Sequence, residues 1–246
     1  MRPMSASDGN GEAETASNKI RPEPDHAQYL EAWSAAYERN NYDEGLAGYF
    51  LKKSHSWAER HFGPETSFGK VLEVGAGTGV HVRFVRHAFG HYWLTDLNPP
   101  FLDKISLPAN VDRDRIIVQA EDATALSFPD STFDRVIAAH VLEHLLHPHL
   151  VLREWARVLR PGGVLSLVLP CDPGIAWRFG RMLGPRRKFT EAGLAYDYWM
   201  AREHVNAIGN LVAFIRYYFR NKREEWLPFG LPSVDLNLFF IAHIRV

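Results

Sequence analysis

The sequence has a single cysteine, no long apolar run and almost no net charge. Cys171 has no partner for an internal disulfide, which suits a reducing compartment, so we expect a cytoplasmic protein. No apolar run approaches the roughly 18 residues that a membrane-spanning helix requires. The formal net charge of −1 supplies no global field that would attract nucleic acid. These absences exclude a disulfide scaffold, a spanning helix and a strongly basic nucleic-acid binder.

A length of 246 residues is enough for one substantial α/β domain with insertions. Residues 1–25 are rich in Ser, Asp, Glu, Asn, Gly and Pro and lack the apolar core of a signal peptide. They are predicted to form a disordered tail. We expect the remainder, residues 26–246, to form a single domain.

Glycine occupies every second position from Gly75 to Gly79, directly after the strand-like run 71–74. A second strand-like run, 92–95, ends at Asp96. Glycine lets the backbone approach a ligand where a Cβ atom would clash. An aspartate at the end of a second strand can accept hydrogen bonds from both hydroxyls of a ribose. The two features together predict a site for a nucleoside cofactor.

From residue 69 onward, strand-like and helix-like segments alternate along the chain. Apolar runs predict strands at 71–74, 92–95, 116–119, 133–139, 164–169 and 236–246. Helical periodicity predicts helices at 80–89, 101–107 and 149–159. This order predicts a Rossmann-like, doubly wound, mostly parallel α/β sheet with an antiparallel last strand. In such sheets ligands bind beyond the carboxyl ends of the strands.

The segments outside this alternation predict a helical N-terminal extension and an insertion after the fifth strand. The expected divisions are a helical lid at 26–66, a cofactor-binding core at 67–171, a substrate-side insertion at 172–235 and the last strand at 236–246. The lid contains helices predicted at 27–39 and 44–62, for which simple packing against the sheet is the alternative to a lid over the cofactor. The second of these has an apolar face formed by Leu46, Tyr49, Phe50, Lys53 and Trp57. The insertion is predicted to contain a helix at 201–213 and a strand near 214–220.

The position of the last glycine distinguishes between cofactors. A dinucleotide-binding fingerprint places glycine first, third and sixth, whereas here Gly79 is fifth and Val80 is sixth. With Glu73 ahead of it, the loop resembles the first motif of class I S-adenosylmethionine-dependent methyltransferases, in their small-molecule, methyltransferase type 11-like branch. Further segments that resemble this family follow in order at 121–123, 128–136, 140–145 and 157–163, so that the resemblance covers residues 69–170.

The resemblance implies S-adenosyl-L-methionine as cofactor and direct displacement of its methyl group onto an oxygen or nitrogen of a small molecule or biosynthetic intermediate. It implies as cofactor-binding residues Glu73, Gly75, Ala76, Gly77, Gly79, Asp96, Leu97, Asp122, Ala123 and His140. In this assignment Asp96 binds the ribose, Leu97 lies against the adenine and Asp122 accepts from the adenine amino group. For Asp122, capping a turn is the alternative.

No motif identifies the methyl acceptor or a catalytic residue. Candidates for a general base are His144, His204 and Tyr198. A metal site at the histidines between 140 and 149 is disfavoured because Pro148 interrupts any helix there, and no metal is predicted.

The arginines of residues 174–188 allow three interpretations. They can form a solvated basic face, a pocket wall for an acidic acceptor, or a membrane-surface helix that reaches a lipid-linked acceptor. The expected partner is therefore a small molecule, with acidic and lipid-linked acceptors and peripheral membrane contact all open.

Two other classes of function stay open at this stage. An NAD(P)-dependent oxidoreductase would also use the glycine loop and Asp96, and a non-catalytic nucleoside-cofactor-binding module would keep the same site. Residues 98–101 resemble the Asn-Pro-Pro-aromatic motif of nucleic-acid methyltransferases, but they follow the second strand instead of the fourth. A proline turn is the expected structure there, and no nucleic-acid partner is predicted.

Overall fold

The computed structural model describes residues 21–26, 29, 45–191 and 193–246. Most of the predicted tail and, except for Tyr29, the helix predicted at 27–39 lie outside the described residues. Within the described ranges, no helix is both long enough and apolar enough to cross a bilayer.

Seven strands form one sheet, in the order β3-β2-β1-β4-β5-β7-β6. The first five pair in parallel, while β7 is antiparallel to both β5 and β6. The mostly parallel sheet with an antiparallel last strand is therefore confirmed. The strands are β1 (Ser67–Val74), β2 (Ala88–Asp96), β3 (Ile116–Ala120), β4 (Phe133–Ala139), β5 (Leu159–Pro170), β6 (Lys222–Leu227) and β7 (Phe239–Arg245).

Helices cover both faces of this sheet. They are α1 (Leu46–Ala58), α2 (Pro99–Leu102), α3 (Pro148–Val158), α4 (Ile175–Leu183), α5 (Pro185–Glu191), α6 (Tyr196–Glu203) and α7 (Ile208–Tyr218). Single 3-10 turns lie at His81–Phe84, Arg113–Arg115 and Leu142–His144. Strand order reverses between β1 and β4, whose carboxyl ends lie side by side, with Val74 opposite Ala138.

The larger part of the core lies between the sheet and helices α3 and α7. Leu152 and Trp155 of α3 and Leu211 and Ile215 of α7 are fully buried in it. Burial of each such side chain contributes about 1.5–3 kcal/mol. The opposite face of the sheet has a smaller apolar cluster around Tyr92 and is covered in part by α1.

Helix α1 is held on the sheet by a buried polar group of four side chains, here called the Glu59 cluster: Glu59, Arg135, His81 and His55. Arg135 binds Glu59 through two hydrogen bonds of 2.9 and 2.7 Å. His81 Nε2 donates to Glu59 at 2.9 Å, and His55 Nδ1 donates to His81 Nδ1 at 2.8 Å. Burial opposes ionisation of Glu59, but Arg135 and His81 hold its pKa well below the ordinary value.

The end of α1 also reaches the edge of the sheet. Trp57 Nε1 donates to Glu225 Oε2 of β6 at 2.7 Å, and Arg60 pairs with the same oxygen at 2.7 Å. Helix α1 is thus attached both to the centre of the sheet, at β4, and to its last edge strand.

These contacts explain why the predicted apolar face of α1 is wrong. Leu46 and Tyr49 are exposed, whereas Ser54, His55 and Ala58 are buried. Gly48 is the fourth buried residue of α1; Ser54 and His55 are polar, and their hydrogen bonds compensate for their burial. Hydrophobic periodicity has no means of detecting such a face.

The helix predicted at 80–89 is also wrong. Only the 3-10 turn His81–Phe84 forms, and Val85 is already extended, with φ −64° and ψ 127°. β2 begins at Ala88 because its first residues pair with β1, Ser67 opposite Ala88. The β-branched residues Val80, Val82 and Val85 favour this extended continuation.

Three smaller predictions need correction. The helix expected at 101–107 is the single turn Pro99–Leu102, which begins with two prolines at the positions that tolerate them best. The helix expected at 201–213 lies at Ile208–Tyr218, and the strand expected near 214–220 lies at Lys222–Leu227. The shift arises because Ile208, Leu211 and Ile215 form the buried face of α7.

Candidate active site

The glycine loop leaves β1 at the edge where the carboxyl ends of β1 and β4 meet. Gly75, Gly77 and Gly79 all have positive φ, at 66°, 56° and 77°. Residues with a side chain rarely adopt this conformation. Within the loop, Ala76 N donates to Thr95 O at 2.8 Å and so fastens the loop to β2. The backbone of the loop therefore requires all three glycines.

Asp96 ends β2 and faces this loop. Its Oδ2 accepts from Gly77 N at 3.0 Å and its Oδ1 accepts from Asn98 N at 2.9 Å. Burial raises the pKa of Asp96. A carboxylate has about four lone-pair positions, so the side chain of Asp96 can still accept a further hydrogen bond.

Leu97, Asp122 and Ala123 lie beside Asp96 at the same edge. Leu97 is exposed, and the end of β3 is joined to β2 by Glu121 N donating to Asp96 O at 3.1 Å. Asp122 Oδ1 accepts from Thr124 N at 2.8 Å and from Thr124 Oγ1 at 2.7 Å, so this oxygen does cap a turn. Ala123 O accepts from Trp155 Nε1 at 2.9 Å, which anchors this turn on α3.

Glu73 is buried between β1 and β2. Its Oε2 accepts from Tyr92 OH at 2.6 Å, and its main-chain oxygen accepts from Thr95 Oγ1 at 2.8 Å. Burial raises the pKa of Glu73. The side chain therefore braces the two strands directly beneath the glycine loop.

The segment after β4 covers the glycine loop. The side chain of Val141 lies so close to Gly75 that a Cβ atom there would be 2.5 Å from Val141 Cγ2. The preceding residue, His140, has φ 61°, and its Nε2 lies 3.2 Å from Ser54 Oγ of α1. Burial lowers the pKa of His140 to about 3, so its ring is neutral at physiological pH.

Three side chains from separate parts of the sequence meet beyond this segment and are called the His204 cluster: Asp172, His204 and His144. His204 Nδ1 donates to Asp172 Oδ2 at 3.0 Å. The ring of His144 stands edge-on to that of His204, with centroids 4.7 Å apart, and its Nδ1 donates to Glu203 O at 2.9 Å. Because both rings donate through Nδ1, each presents Nε2 as an acceptor.

The surroundings of the His204 cluster shift the pKa of His144 and of Asp172. Burial and the neighbouring His204 lower the pKa of His144 to about 3. Burial opposes ionisation of Asp172, but its hydrogen bond with His204 and the charge of Arg181 lower its pKa. Asp172 is thus a carboxylate that orients His204 and stabilises positive charge on it.

Two adjoining cavities open beside the His204 cluster. The first, about 390 Å³, is lined by Asp172, Arg181, Met200, His204 and Asn206, among others. The second, about 350 Å³, is lined by Arg178, Arg181, Met182, Arg186, Tyr196 and Asp197. Because Arg181 and Asp197 line both, one extended molecule can contact both cavities.

Comparison with known proteins identifies the central part of the chain. Residues 72–167 match a family model described as "Methyltransferase domain". Over 109 residues the chain is 39% identical to the ubiquinone/menaquinone biosynthesis C-methyltransferase UbiE of Laribacter hongkongensis (strain HLHK9). That alignment covers 40% of this chain and 42% of UbiE. The chain carries a class I S-adenosylmethionine-dependent methyltransferase domain.

Solved structures extend the likeness in fold beyond the residues of the family match. A possible histamine N-methyltransferase from Thermotoga maritima matches with a TM-score of 0.57 at 18% identity, covering 89% of this chain and 98% of that chain. Phosphoethanolamine N-methyltransferase 2 of Haemonchus contortus, solved with S-adenosyl-L-methionine, matches with a TM-score of 0.57 at 14% identity, covering 89% and 58%. At such identities these matches show the fold. The chain spans less than half the length of the curated relative described above.

The methyltransferase domain fits its cofactor, S-adenosylmethionine, in the chemistry of its side chains. Asp96 keeps acceptor capacity for ribose hydroxyls, exposed Leu97 offers an apolar surface, and the loop from Gly75 to Gly79 presents backbone without side chains at three positions. These residues follow the ends of β1 and β2 and lie at one edge of the sheet, as their spacing in the sequence predicted.

The structure separates the three predicted base candidates. It brings His144 and His204 together, whereas Tyr198 lies on an exposed part of α6 and donates to Glu23 at 2.9 Å. Sequence reasoning missed Asp172, although its position directly after β5 at the carboxyl edge of the sheet was a usable signal.

Sequence reasoning also missed Glu143, which adjoins His144. Its side chain is buried, its Oε2 has no hydrogen-bond partner within the described part of the chain, and its Oε1 lies 3.8 Å from His144 Nε2. Burial raises the pKa of Glu143 to about 8, so it is largely protonated at neutral pH. It therefore adds little negative charge beside His144 under those conditions.

Proposed function

We propose that this protein transfers the methyl group of S-adenosylmethionine to a small-molecule acceptor bound beside His204. The observation that carries this proposal is the His204 cluster, which lies beyond the carboxyl ends of β4 and β5, at the edge that holds the glycine loop. In doubly wound sheets this is the edge where ligands bind.

In this proposal the glycine loop and three carboxylates hold the donor. Asp96 receives the ribose hydroxyls, Asp122 uses its second oxygen for the adenine amino group, and Leu97 and Ala123 contact the ring. Glu73 acts from below by fixing the loop, and His140 forms the wall between donor and acceptor. The bound cofactor supplies a methyl group that its sulfonium centre already activates, so alignment and exclusion of water are the main tasks of the protein.

His204 is the proposed general base. Asp172 fixes its Nδ1–H, so Nε2 is free to receive a proton from the acceptor. Burial lowers the pKa of His144, and in this proposal its ring positions that of His204. Asp172 then stabilises the imidazolium that forms.

A base at this position favours an acceptor that must lose a proton to become nucleophilic. We propose an enol or a phenol, whose anion is nucleophilic at oxygen and at the adjacent carbon. Oxygen or nitrogen was expected from the sequence, and transfer to carbon is consistent with the C-methyltransferase to which the chain is similar. Nitrogen acceptors have less need of such a base.

The segments on either side of the cofactor-binding core have proposed roles in covering the site and binding the acceptor. Residues 26–66 would contribute a lid and residues 172–235 the acceptor pocket, including the cavity lined by Arg178, Arg181 and Arg186. Arginine suits bidentate recognition of oxyanions, so a phosphate or carboxylate on the acceptor would fit there. Cys171 is buried and unpaired, which supports a reducing, cytoplasmic environment.

Calorimetry with S-adenosylhomocysteine, the demethylated product, tests the donor half of the proposal. Asp96→Ala should weaken binding by about 1–3 kcal/mol, because ribose hydroxyls lose their acceptors. Asp103→Ala, an exposed aspartate seven positions along the chain, is the matched control and should bind like the unmodified protein. Folded protein with no measurable affinity for S-adenosylhomocysteine would contradict the proposal.

Methyl transfer itself is tested with S-adenosylmethionine carrying a ¹³C methyl group. A panel of phenols, 1,3-dicarbonyl compounds and amines should give labelled products from the first two classes. The ¹³C chemical shift of the transferred methyl group distinguishes attachment to oxygen, nitrogen or carbon. Transfer to amines alone would contradict the acceptor class proposed here.

A further inference from the structure

Helix α4 carries apolar side chains on its exposed surface. Ile175, Phe179 and Met182 are 68%, 60% and 59% exposed. Their spacing of four and three residues places them along one stripe of the helix. Single exposed apolar residues are common, but a stripe that covers the length of a helix marks an interaction surface.

Neighbouring elements add exposed apolar side chains near both ends of α4. A Cβ atom on Gly184 would lie 3.2 Å from Ala47 Cβ, so the end of α4 touches the beginning of α1, where Leu46 and Tyr49 are exposed. At the other end of α4, Ala176 N donates to Asp235 O at 2.9 Å, and the next residue, Leu236, is exposed. These six side chains are called the α4 face: Leu46, Tyr49, Ile175, Phe179, Met182 and Leu236.

Basic residues outnumber acidic ones around the α4 face, where Asp235 at the start of α4 bonds to the amide groups of Ile175 and Ala176. Residues 175–190 contain five basic residues and no acidic one: Arg178, Arg181, Arg186, Arg187 and Lys188. Helix α1 contains Lys52 and Lys53 and likewise no acidic residue. Since the whole chain has a net charge of −1, this is a local concentration of positive charge. Some of it is balanced by neighbouring aspartate and glutamate, as for Arg186 with Asp197, but Arg178 and Lys188 have no ion pair with any residue that the structure describes.

We propose that the α4 face docks on the surface of an anionic lipid bilayer. Apolar side chains flanked by basic ones are the pattern of a helix that lies in the membrane interface, where each basic group gains from the negative surface potential. A second copy of this chain is disfavoured, because a two-fold contact would place the basic residues of one copy against those of the other. A lipid surface accommodates both the apolar stripe and the charge around it.

Docking through α4 would place the second cavity next to the membrane surface. Arg178 and Met182 line that cavity and lie on α4, so the cavity adjoins the docked helix. An acceptor anchored in the bilayer by an apolar tail and carrying an anionic head would reach Arg178 without leaving the membrane surface. Docking does not depend on methyl transfer, but this route for the acceptor rests on the proposed function.

Vesicle flotation tests the docking. The full chain should float with vesicles of phosphatidylcholine and phosphatidylglycerol, bind vesicles of phosphatidylcholine alone more weakly, and lose affinity as salt is raised. Phe179→Ser should weaken partition into the mixed vesicles at least about tenfold, since a buried phenyl group is lost. Arg178→Gln should weaken it about fivefold. Tyr217→Ser, at an 82% exposed aromatic residue of α7, is the matched control and should partition normally.

Two results would overturn the proposal. One is failure of the unmodified chain to float with the mixed vesicles while it still binds S-adenosylhomocysteine in solution, which separates loss of docking from loss of the donor site. The other is a Phe179→Ser variant that floats as well as the unmodified chain. If light scattering shows a dimer that Phe179→Ser dissociates, and no vesicle is bound, a second copy covers this face instead.

Discussion

The Glu59 cluster and the His204 cluster are built from similar residues and do different things. Each joins histidines to a carboxylate, at 2.9 Å between His81 and Glu59 and at 3.0 Å between His204 and Asp172. In the Glu59 cluster Arg135 also binds the carboxylate with two hydrogen bonds, and the side chains are fully buried. In the His204 cluster, by contrast, His204 and Asp172 line a cavity of about 390 Å³.

The difference shows that the surroundings of a histidine-carboxylate pair decide its role. The Glu59 cluster uses its hydrogen bonds to hold α1 on the sheet, and its members have no access to a ligand. The His204 cluster lies beside a cavity that can hold a ligand. A perturbed pKa alone does not separate the two, since burial lowers the pKa of His87 near the first cluster and of His144 in the second.

The largest expected effect comes from breaking the Glu59 cluster. Arg135→Met should reduce the free energy of unfolding by about 3–5 kcal/mol, because Glu59 is left buried without its counter-charge. Arg216→Met, which breaks the exposed ion pair with Glu224, should cost less than about 1 kcal/mol. Urea denaturation followed by circular dichroism measures both. Equal costs would remove the distinction between buried and exposed pairs.

Glu143 adjoins His144 of the His204 cluster and should make the stability of the protein depend on pH. The carboxylate of the Glu59 cluster, Glu59, has a lowered pKa, whereas that of Glu143 is raised. The pKa of Glu143 is about 8 in the folded protein, well above the ordinary value of about 4.5. Its contribution to stability is therefore fully present below pH 4.5 and is lost as pH rises through 8. Glu143→Gln should remove this loss, so that the variant gains about 4 kcal/mol over the unmodified protein between pH 5 and pH 9. Parallel stability curves of the two proteins over this range would refute the assignment.

Replacing the proposed base should affect turnover and leave stability nearly unchanged. His204→Asn should lower kcat about a hundredfold, at the lower end of the effect typical of general base catalysis, with affinity for S-adenosylhomocysteine retained. His91→Asn, at an exposed histidine of β2, is the control. A variant that keeps full kcat, or that loses donor binding as well, would assign His204 a role other than the base.

The smallest effect is expected for Tyr198, the third residue that the sequence suggested as a general base. Tyr198→Phe should change kcat by less than about twofold, because the hydroxyl bonds to Glu23 on the exposed side of α6. Initial rates with the ¹³C-labelled donor measure it. A tenfold loss would place Tyr198, in preference to His204, next to the reacting atoms.

The sequence predicted best where burial on both faces of the sheet leaves a continuous apolar run. The limits predicted for β4, 133–139, are those of the structure, and the glycine loop and Asp96 lie where their spacing put them. It failed at 80–89 and on α1, where buried polar residues such as His55 and His81 replace apolar ones. Periodicity detects hydrophobic faces and is blind to polar faces that long-range hydrogen bonds satisfy.

The acceptor side was predicted less completely, because its members are distant in sequence. His144 and Asp172 are 28 positions apart, and His204 follows 32 positions after Asp172. Nothing local to these residues shows that they meet. Only the topology, which brings the ends of β4 and β5 together, places them in one cluster.

The attachment of α1 to β6 can form only late during synthesis of the chain. Trp57 and its acceptor Glu225 are 168 positions apart, and among the strands that the structure describes β6 pairs with β7 alone, which is later still. During synthesis from the amino terminus, α1 is made 168 positions before its partner on β6. Until β6 emerges, α1 can be held on the sheet through Glu59 with Arg135 of β4 and through His55 with His81. The helix therefore gains its contact with the edge of the sheet later than its contact with the centre.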